Sequence, residues 1–438
     1  MRGVNRRIFM RQGALALLAL GFPPEFLTRS LFAQTRHARR KTIVCIFQRG
    51  AVDGLNMVVP FGEAAYYRNR RSIAVPAPRV EAGGAIDLDG FFGLHPALQP
   101  LHELWTRKQL AIIHAVGSPH PTRSHFEAQD YMETATPGEK VRDGWLNRVL
   151  QESGCAECDG RTRANPAAHA ADHAVGQLAL ADSPLRGVAM TRALPRSLQG
   201  KFPALAIPDF QRFGVTGGRD PSLEATLERM YRTSSGDAVA AAGSDAFEAM
   251  AILNRIQPGQ YRPRDGVQYP GGDFGRSLRQ IAQLIKADVG LEIAFADIAG
   301  WDTHANQGGA AGQLAARLTE LARGIRALYD DLGDAAEDVI LLTMSEFGRT
   351  VAENGSGGTD HGHANCMLVL GGAVTGGKIY GKWPGLEQEQ LHEGRDLALT
   401  SDFRDVFAEI ASAHLGAERL DRVFPGYDVD PARFHGVL

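Results

Sequence analysis

The sequence has few of the features that mark membrane, nucleic-acid-binding or disulfide-rich proteins. Beyond the first 33 residues no apolar run approaches the roughly 20 residues that a membrane-spanning helix needs, so no membrane span is expected. The net charge is −3, and this lack of excess positive charge argues against a nucleic-acid partner. Only four cysteines occur in 438 residues, which excludes a disulfide scaffold. No dinucleotide-binding or haem motif is present to support an oxidoreductase.

The N-terminal segment has the order of an export signal. Arg6 and Arg7 form an adjacent pair, an apolar run follows over residues 14–22, and a cleavage site ends at Ala33. Paired arginines before a weakly apolar run are typical of the twin-arginine route, although an amphipathic helix is the alternative. We predict that residues 1–33 are a signal peptide recognised by the twin-arginine translocase and that the mature protein is periplasmic or otherwise exported. Losing five arginines and one glutamate shifts the net charge from −3 to −7.

Apolar patterning beyond the leader predicts strands that alternate with helices. Strands are predicted over residues 41–47, 111–116, 178–180, 187–190, 204–207, 291–298, 338–344 and 365–370. Helices are predicted over residues 95–105, 222–255 with an Ala-rich break near 238–243, 275–287, 311–332, and 403–414 with Ser401 or Thr400 as its cap. This rhythm predicts an α/β fold with a mainly parallel central sheet and helices on both faces. Residues 34–438 are expected to form one such domain.

A cysteine pair lies within an expected inserted loop, about residues 152–175. Cys155 and Cys158 are followed by His169 and His173, which are four residues apart. This spacing fits a small zinc site, and an oxidising compartment would instead favour a local disulfide. The Ala-, Gly- and Arg-rich composition without periodicity favours a third interpretation, a surface loop.

Carboxylates and imidazoles follow the predicted strands. In an open α/β sheet, ligands bind beyond the carboxyl ends of the strands, so residues at these positions are expected to meet. Side chains of this kind are the usual ligands of divalent metals such as zinc, manganese or calcium. The predicted metal ligands are Asp53, Asp302, His304, Glu346, Asp360, His361 and His363.

Each predicted ligand also has a purely structural interpretation. Asp53-Gly54 is an ordinary turn dipeptide. Asp302 and His304 could cap the helix that follows, and Glu346 could form a salt bridge with Arg349. The segment 360–363 could be a solvated polar loop.

Three consecutive residues after the second strand are candidates for catalysis. Ser124, with Glu127 three residues later, fits a capping box at the start of a helix. A serine at a helix N-terminus beside a metal is also where the nucleophile of a phosphate- or sulfate-transferring enzyme would lie. His125 could move protons, and Arg123 could hold an anionic oxygen.

Five stretches resemble an exported bacterial family of unknown function in the alkaline phosphatase and sulfatase superfamily. They are FQRGAVDGLNMVVP from Phe47, TRSHFEAQDY from Thr122, GWDTHANQ from Gly300, MSEFGRT from Met344 and GTDHGHAN from Gly358. The resemblance implies an alkaline-phosphatase-like fold, with Asp53 as the first metal-binding aspartate, Ser124 as the nucleophile, Asp302 as the late aspartate and His361 or His363 as the final histidine.

Two positions depart from the superfamily pattern. The residue four past Asp302 is Asn306 where the pattern has histidine, and Phe347 follows Glu346 where the pattern has Asp-His. The resemblance implies a periplasmic, metal-dependent hydrolase of phosphate or sulfate esters that acts on a small anionic ester or glycan. The departures support an alternative, a non-catalytic periplasmic binding protein on a degenerate hydrolase fold.

Overall fold

The computed structural model describes residues 40–78, 83–153, 183–211, 213 and 237–438. The predicted signal peptide, the predicted strand at 178–180 and the first part of the predicted helix at 222–255 lie outside the described residues. The same holds for Cys155, Cys158, His169 and His173. The described residues from Arg40 onward belong to one compact unit.

The strands of the described chain form one large and one small sheet. Their bounds are β1 (Thr42–Arg49), β2 (Val58–Val59), β3 (Ile86–Asp87), β4 (Gly93–Leu94), β5 (Leu110–Gly117), β6 (Gly187–Ala189), β7 (Leu205–Ala206), β8 (Ile293–Ala299), β9 (Val339–Met344), β10 (Asn365–Gly371), β11 (Lys378–Tyr380) and β12 (Ser401–Asp402). The large sheet has the order β11-β5-β10-β9-β1-β8-β6-β7, and β12 also pairs with β5. Strands β2, β4 and β3 form the small sheet.

The large sheet is mainly parallel, as predicted. Strand β1 runs parallel to β8 on one side and to β9 on the other. Strand β10 is the exception, because it is antiparallel to both β5 and β9. The carboxyl ends of β1, β5, β8 and β9 are the points from which the loops of the candidate site begin.

Helices cover both faces of the sheet. They are α1 (Gly54–Met57), α2 (Ala64–Asn69), α3 (Gln99–Thr106), α4 (His125–Thr134), α5 (Trp145–Glu152), α6 (Asp237–Ile256), α7 (Gly272–Lys286), α8 (Gln313–Leu332), α9 (Phe403–Ala413) and α10 (Leu420–Val423). Short 3-10 turns add Pro96–Leu98, Arg196–Leu198, Pro258–Gln260, Gly333–Asp338, Gln388–Gln390 and Pro431–Arg433.

Alternation along β1 divides its side chains between two apolar layers. Val44 and Ile46 pack with α3, α7 and α8, whereas Cys45 and Phe47 pack with α5 and α9. In the second layer Trp145 stacks on Phe407 with 4.3 Å between ring centroids. Full burial of one such large apolar side chain contributes about 1.5–3 kcal/mol. The two layers hold the central strands, and hence the loops that follow them, in fixed positions.

The predicted α/β class with helices on both faces is confirmed, and two local details differ. Helix α6 is continuous from Asp237 to Ile256, because alanine is a strong helix former and causes no break at 238–243. The cap of α9 is Asp402, whose side chain accepts a hydrogen bond from the Arg404 N–H, and neither Thr400 nor Ser401 fills that role. Within the described residues no helix is both long and apolar enough to cross a bilayer.

Candidate functional site

Four polar side chains converge beyond the carboxyl ends of the central strands. His125 opens α4 after β5, Asp302 and His304 follow β8, and His361 lies between β9 and β10. The Nε2 atom of His361 is 3.0 Å from the Nε2 atoms of both His125 and His304. Asp302 places Oδ1 2.9 Å from His304 Nε2 and 3.3 Å from His361 Nε2, and its Oδ2 3.5 Å from His125 Nε2. These four side chains are called the metal cluster below.

Close backbone contacts fix the loops that carry the metal cluster. Gly50 lies against the Asp302 backbone, where an added Cβ would come within 2.9 Å of the Asp302 nitrogen. Gly362 lies against Arg349, where a Cβ would be 2.4 Å from the Arg349 carbonyl carbon, and Arg349 pairs with His361 in an isolated β-bridge. Glycine at these positions therefore lets the loops approach closely enough for Asp302 and His361 to meet.

Each imidazole of the metal cluster is oriented by a hydrogen-bond acceptor at its other nitrogen. His125 Nδ1 lies 2.8 Å from Glu346 Oε1, and His304 Nδ1 lies 3.0 Å from Asp360 Oδ1. His361 Nδ1 lies 2.9 Å from the Arg123 carbonyl oxygen. Carboxylates and carbonyls can only accept, so each Nδ1 carries the hydrogen, and a ring in its neutral form has its Nε2 lone pair facing the other members of the cluster.

The Nε2 atoms of His125 and His361 and the Asp302 carboxylate lie within 4.8 Å of one another and could hold a divalent cation, and His304 lies beside them as a further donor. Metal-bound histidines characteristically donate their other N–H to a carboxylate or carbonyl, as these three histidines do. Three imidazole nitrogens and one carboxylate oxygen are a donor set that zinc accepts. Tetrahedral zinc with bonds of about 2.0–2.2 Å separates its ligand atoms by roughly 3.3–3.6 Å, close to the spacings within the cluster. The Asp302 and His304 side chains are each 43% exposed, which leaves an open side for a substrate.

The surroundings keep the carboxylates of the site ionised. Burial, the largest influence, acts to raise the pKa of Asp302, but the hydrogen bond and charge of Arg349 outweigh it and the pKa lies below the usual value. Burial also acts to raise the pKa of Glu346, and hydrogen bonds from His125 and Gln129 again bring that pKa below normal. The hydrogen bond to Glu346 raises the pKa of His125. Asp302 and Glu346 thus supply negative charge that would favour a cation at this site.

The structure places two predicted ligands, Glu346 and Asp360, behind the metal cluster. Glu346 is fully buried, and its Oε1 also accepts from the Gly50 N–H and from Gln129 Nε2, both at 2.9 Å. Asp360 additionally accepts from Asn354 Nδ2 at 3.1 Å. Their carboxylates are occupied in orienting His125 and His304, so they are corrected from ligands to positioning residues.

The structure places the other two predicted ligands, Asp53 and His363, outside the metal cluster. The buried Asp53 carboxylate accepts from Arg70 Nη1 and Gln307 Nε2, both at 2.6 Å, and its Oδ1 caps α1. Arg70 therefore supplies the positive charge that a metal would supply. The His363 ring stacks on His392 at 4.2 Å between centroids, and burial lowers the pKa of His363 to about 4.

The three catalytic candidates take different places. His125 belongs to the metal cluster itself. Ser124 occupies the N-cap position of α4, but its hydroxyl makes no capping hydrogen bond, and Glu127 instead accepts from the Thr122 hydroxyl at 2.7 Å. The predicted capping box is therefore not formed, and the serine hydroxyl makes no hydrogen bond with the residues that the structure describes.

Arg123 contacts the metal cluster through its carbonyl oxygen and not through its guanidinium. Its guanidinium is paired with Asp396 at 2.7 Å and with Glu393 at 2.8 Å. Because both of these carboxylates hold it, the side chain is not directed at an anionic ligand.

Three residues besides the predicted ligands shape the site. The sequence marked Arg349 only as a partner of Glu346 and Phe347 only as a departure from the superfamily pattern, and it did not mark Gln129. Arg349 donates to Asp302 Oδ1 at 2.7 Å instead of pairing with Glu346. Gln129 supports Glu346, and the Phe347 ring lies 4.9 Å from the His125 ring and 5.0 Å from the His361 ring. Gln129 is four residues after His125 on a predicted helix, and this spacing alone indicated that the two side chains share one face. No sequence pattern indicated that Arg349 would pair with Asp302.

Several solved structures share distant similarity with the chain. Ps i-CgsB in complex with k-i-k-neocarrahexaose is 11% identical, with a TM-score of 0.39 over 88% of this chain and 75% of that one. The C-terminal periplasmic domain of EcEptC from Escherichia coli, in complex with Zn, is 10% identical, with a TM-score of 0.37 over 91% and 86%. PsFucS1 sulfatase from Pseudoalteromonas sp. is 11% identical, with a TM-score of 0.37 over 94% and 72%.

Comparison at the sequence level defines the family. A search of curated proteins found no match. A family profile matches residues 40–423, which include all four members of the metal cluster. The chain belongs to the family described as "Protein of unknown function (DUF1501)".

Proposed function

We propose that the protein is a metal-dependent hydrolase of phosphate or sulfate esters. The observation that carries this proposal is the convergence of three imidazole lone pairs and the Asp302 carboxylate, with each imidazole N–H already engaged by an acceptor. A bound divalent cation would act as a Lewis acid toward an ester oxygen and lower the pKa of a nearby hydroxyl. Nitrogen-rich ligation favours zinc or manganese over calcium, which prefers oxygen ligands.

The chain would hold one cation at this site. Asp53, another carboxylate expected to bind metal, is fully buried and its oxygens accept from Arg70, Gln307 and the Asn56 N–H, whereas Asp302 is 43% exposed and bonds to Arg349 through Oδ1. Phe347 packs against His125 and His361 and has no atom that can bind a metal. The predicted stoichiometry is therefore one metal ion for the part of the chain that the structure describes.

The start of α4 would bind the anionic group of the ester. The first backbone N–H groups of a helix have no partners within it, and the helix dipole favours negative charge there. Ser124 makes no capping hydrogen bond through its hydroxyl and is next in sequence to His125. We therefore assign Ser124 as the attacking group, with the cluster positioning the ester beside it.

Metal analysis and turnover test the proposal together. The purified protein should contain close to one zinc or manganese ion, and it should hydrolyse p-nitrophenyl phosphate or p-nitrophenyl sulfate. His361→Ala should lose both metal and turnover. His102→Ala is the matched control, because His102 is a partly exposed histidine on α3 that is not a member of the cluster. Trace metal in the wild type, or turnover that survives His361→Ala, would refute the proposal.

A non-catalytic binding protein is the second candidate, and Phe347 is the observation that favours it. An apolar ring between two cluster histidines leaves fewer polar groups to stabilise a developing charge. This candidate predicts one tightly bound metal and no turnover of either ester, with saturable binding of phosphate or sulfate that His361→Ala abolishes.

Export through the twin-arginine translocase is a further part of the proposal, supported by Arg6 and Arg7. Residues 1–33 fused to a reporter should direct it to the periplasm, and replacement of both arginines by lysine should retain it in the cytoplasm. Arg11→Lys is the control within the same segment. Equal export of all three fusions would contradict this route.

A further inference from the structure

A cleft of about 790 Å³ opens beside the carboxyl ends of β1 and β8. Its wall includes Arg49 at the end of β1 and Asp297 near the end of β8, so it lies beyond the same edge of the sheet as the cluster. Small-molecule sites usually measure about 300–1,000 Å³. The cleft therefore has room for a substrate portion much larger than a phosphate or sulfate group.

Helix α4 joins the cleft to the metal cluster. His125, Gln129 and Glu133 are spaced four apart and so follow one face of the helix. Arg49 Nη1, in the cleft wall, lies 2.9 Å from Gln129 Oε1 and 3.0 Å from Glu133 Oε1. Gln129 in turn donates to Glu346, which orients His125. A continuous hydrogen-bonded chain thus runs from the cleft to the cluster.

Most of the ionic groups in the cleft wall are already paired. Arg49 binds Asp297 at 2.9 Å and Glu133 at 3.0 Å, and Arg276 binds Asp273 at 2.5 Å. Such pairs present N–H donors and carboxylate oxygens at fixed positions without adding net charge. Ligand hydroxyls can donate to the carboxylates and accept from the guanidinium groups. This wall suits a ligand with many hydroxyl groups.

Arg192 is the exception in this wall. It is exposed, and it makes no ion pair or hydrogen bond with any residue that the structure describes. A free guanidinium binds carboxylate, sulfate or phosphate oxygens in a bidentate manner. The cleft therefore combines a hydroxyl-binding wall with one position for an anionic substituent.

We propose that this cleft binds an anionic oligosaccharide. Its hydroxyl groups would bond to the paired arginines and carboxylates, and its sulfate, phosphate or carboxylate would bind Arg192. The inference rests on the proposed function, because the sugar in the cleft would be the part of the ester that extends away from the metal cluster. The inference adds to the proposed hydrolase its class of substrate, which is a glycan that carries a charged group besides the ester.

Binding to oligosaccharides of defined charge tests the inference. The metal-loaded protein would be applied to an array of sulfated, phosphorylated, uronate-containing and neutral oligosaccharides, and the best ligand measured by calorimetry. We expect an anionic oligosaccharide to bind, and Arg192→Ala to raise its Kd about tenfold or more. Arg71→Ala is the matched control, because Arg71 is an exposed arginine that has no partner among the described residues and is not part of the cleft.

A second variant tests the cleft without changing its charge. Ala193 is exposed in the wall, so Ala193→Trp should fold and fill part of the space, and we expect it also to weaken binding. Failure of the wild type to bind any anionic oligosaccharide, or an unchanged Kd in both Arg192→Ala and Ala193→Trp, overturns the inference.

Failure of the inference can be distinguished from failure of the proposed function. His361→Ala should lose metal and turnover but keep oligosaccharide binding that depends on Arg192, because the cleft does not include His361. Metal and aryl-ester turnover without Arg192-dependent binding would sink the inference alone. Arg192-dependent binding by a protein without metal or turnover would sink the proposed function alone.

Discussion

Replacing Glu346 by glutamine removes one charge behind the metal cluster and changes almost nothing in shape. The buried Glu346 Oε1 accepts from His125 Nδ1, the Gly50 N–H and Gln129 Nε2 at 2.8 to 2.9 Å. A glutamine can keep its oxygen at this position and turn its NH₂ group toward Ser345 Oγ, which lies 3.1 Å from Oε2. The substitution therefore preserves the three hydrogen bonds at Oε1 and loses the negative charge that strengthens His125 as a ligand.

The expected effect is a selective loss of metal affinity. Loss of an outer hydrogen-bonding partner of a ligand typically weakens metal binding about 10–100-fold, which corresponds to about 1.4–2.7 kcal/mol. The metal-free protein should lose less stability than metal affinity, because the glutamine oxygen still accepts from His125, Gly50 and Gln129. A large loss of metal affinity together with a small loss of metal-free stability would identify Glu346 as a positioning residue.

Competition with a chromogenic zinc chelator would measure the affinity, and thermal unfolding of the metal-free protein would measure the stability. Glu353→Gln is the control, because Glu353 also accepts several hydrogen bonds, from Ser72 and Ile73, and contacts no member of the metal cluster. An unchanged zinc affinity in Glu346→Gln would refute the reasoning. A large drop in metal-free stability would instead make Glu346 a structural residue.

Further predictions concern stability and metal content. Asp331→Asn should lower the free energy of unfolding by about 2–3 kcal/mol in urea, because the buried carboxylate accepts from Tyr261, Tyr269 and Lys286. Burial acts to raise the pKa of Asp331, but these hydrogen bonds outweigh it and lower the pKa. The contribution of the Asp331 carboxylate to the free energy of unfolding should therefore be present above its unfolded pKa of about 3.9 and be lost as the pH falls through its folded pKa. The Asp331→Asn variant should not show this loss. Gly348→Ala should reduce both metal content and Tm, since a Cβ would lie 1.9 Å from the Ala364 carbonyl oxygen. Unchanged metal content and Tm would contradict this close packing of Gly348 against Ala364. Chelator treatment should lower Tm, and restored metal should reverse the loss. If the free metal had been at 100 times its Kd, its removal should lower the free energy of unfolding by about 2.7 kcal/mol.

Local patterns were sufficient to predict most of the central sheet and its helices. The continuous apolar run at 338–344 became β9, and the stripe at 311–332 became α8. Both predictions depend on periodicity along a few turns or pleats, which is a property of neighbouring residues. The antiparallel direction of β10 was not predictable in this way, because it is decided by the path of the chain between β9 and β10.

The chemistry of the site was predicted better than its geometry. Asp302, His304 and His361 follow strands that end at one sheet edge, so their convergence could be expected from topology alone. The same argument included Asp53, whose carboxylate instead meets Arg70, a residue 17 positions later that no motif marks. Sequence gives the type of residue at the sheet edge, and packing decides which carboxylate faces a guanidinium and which faces the cluster.

By itself, then, the sequence determined the α/β class, the sheet edge where the polar loops meet, and most of the residues that reach it, because these follow from periodicity and from the common direction of parallel strands. Only the tertiary structure decided that His125 joins the metal cluster while Glu346 and Asp360 stand behind it. Differences of about one side-chain length separate a ligand from the residue that orients it. Those differences are set by contacts between segments far apart in the chain, such as Gly50 against Asp302, and not by the residues on either side.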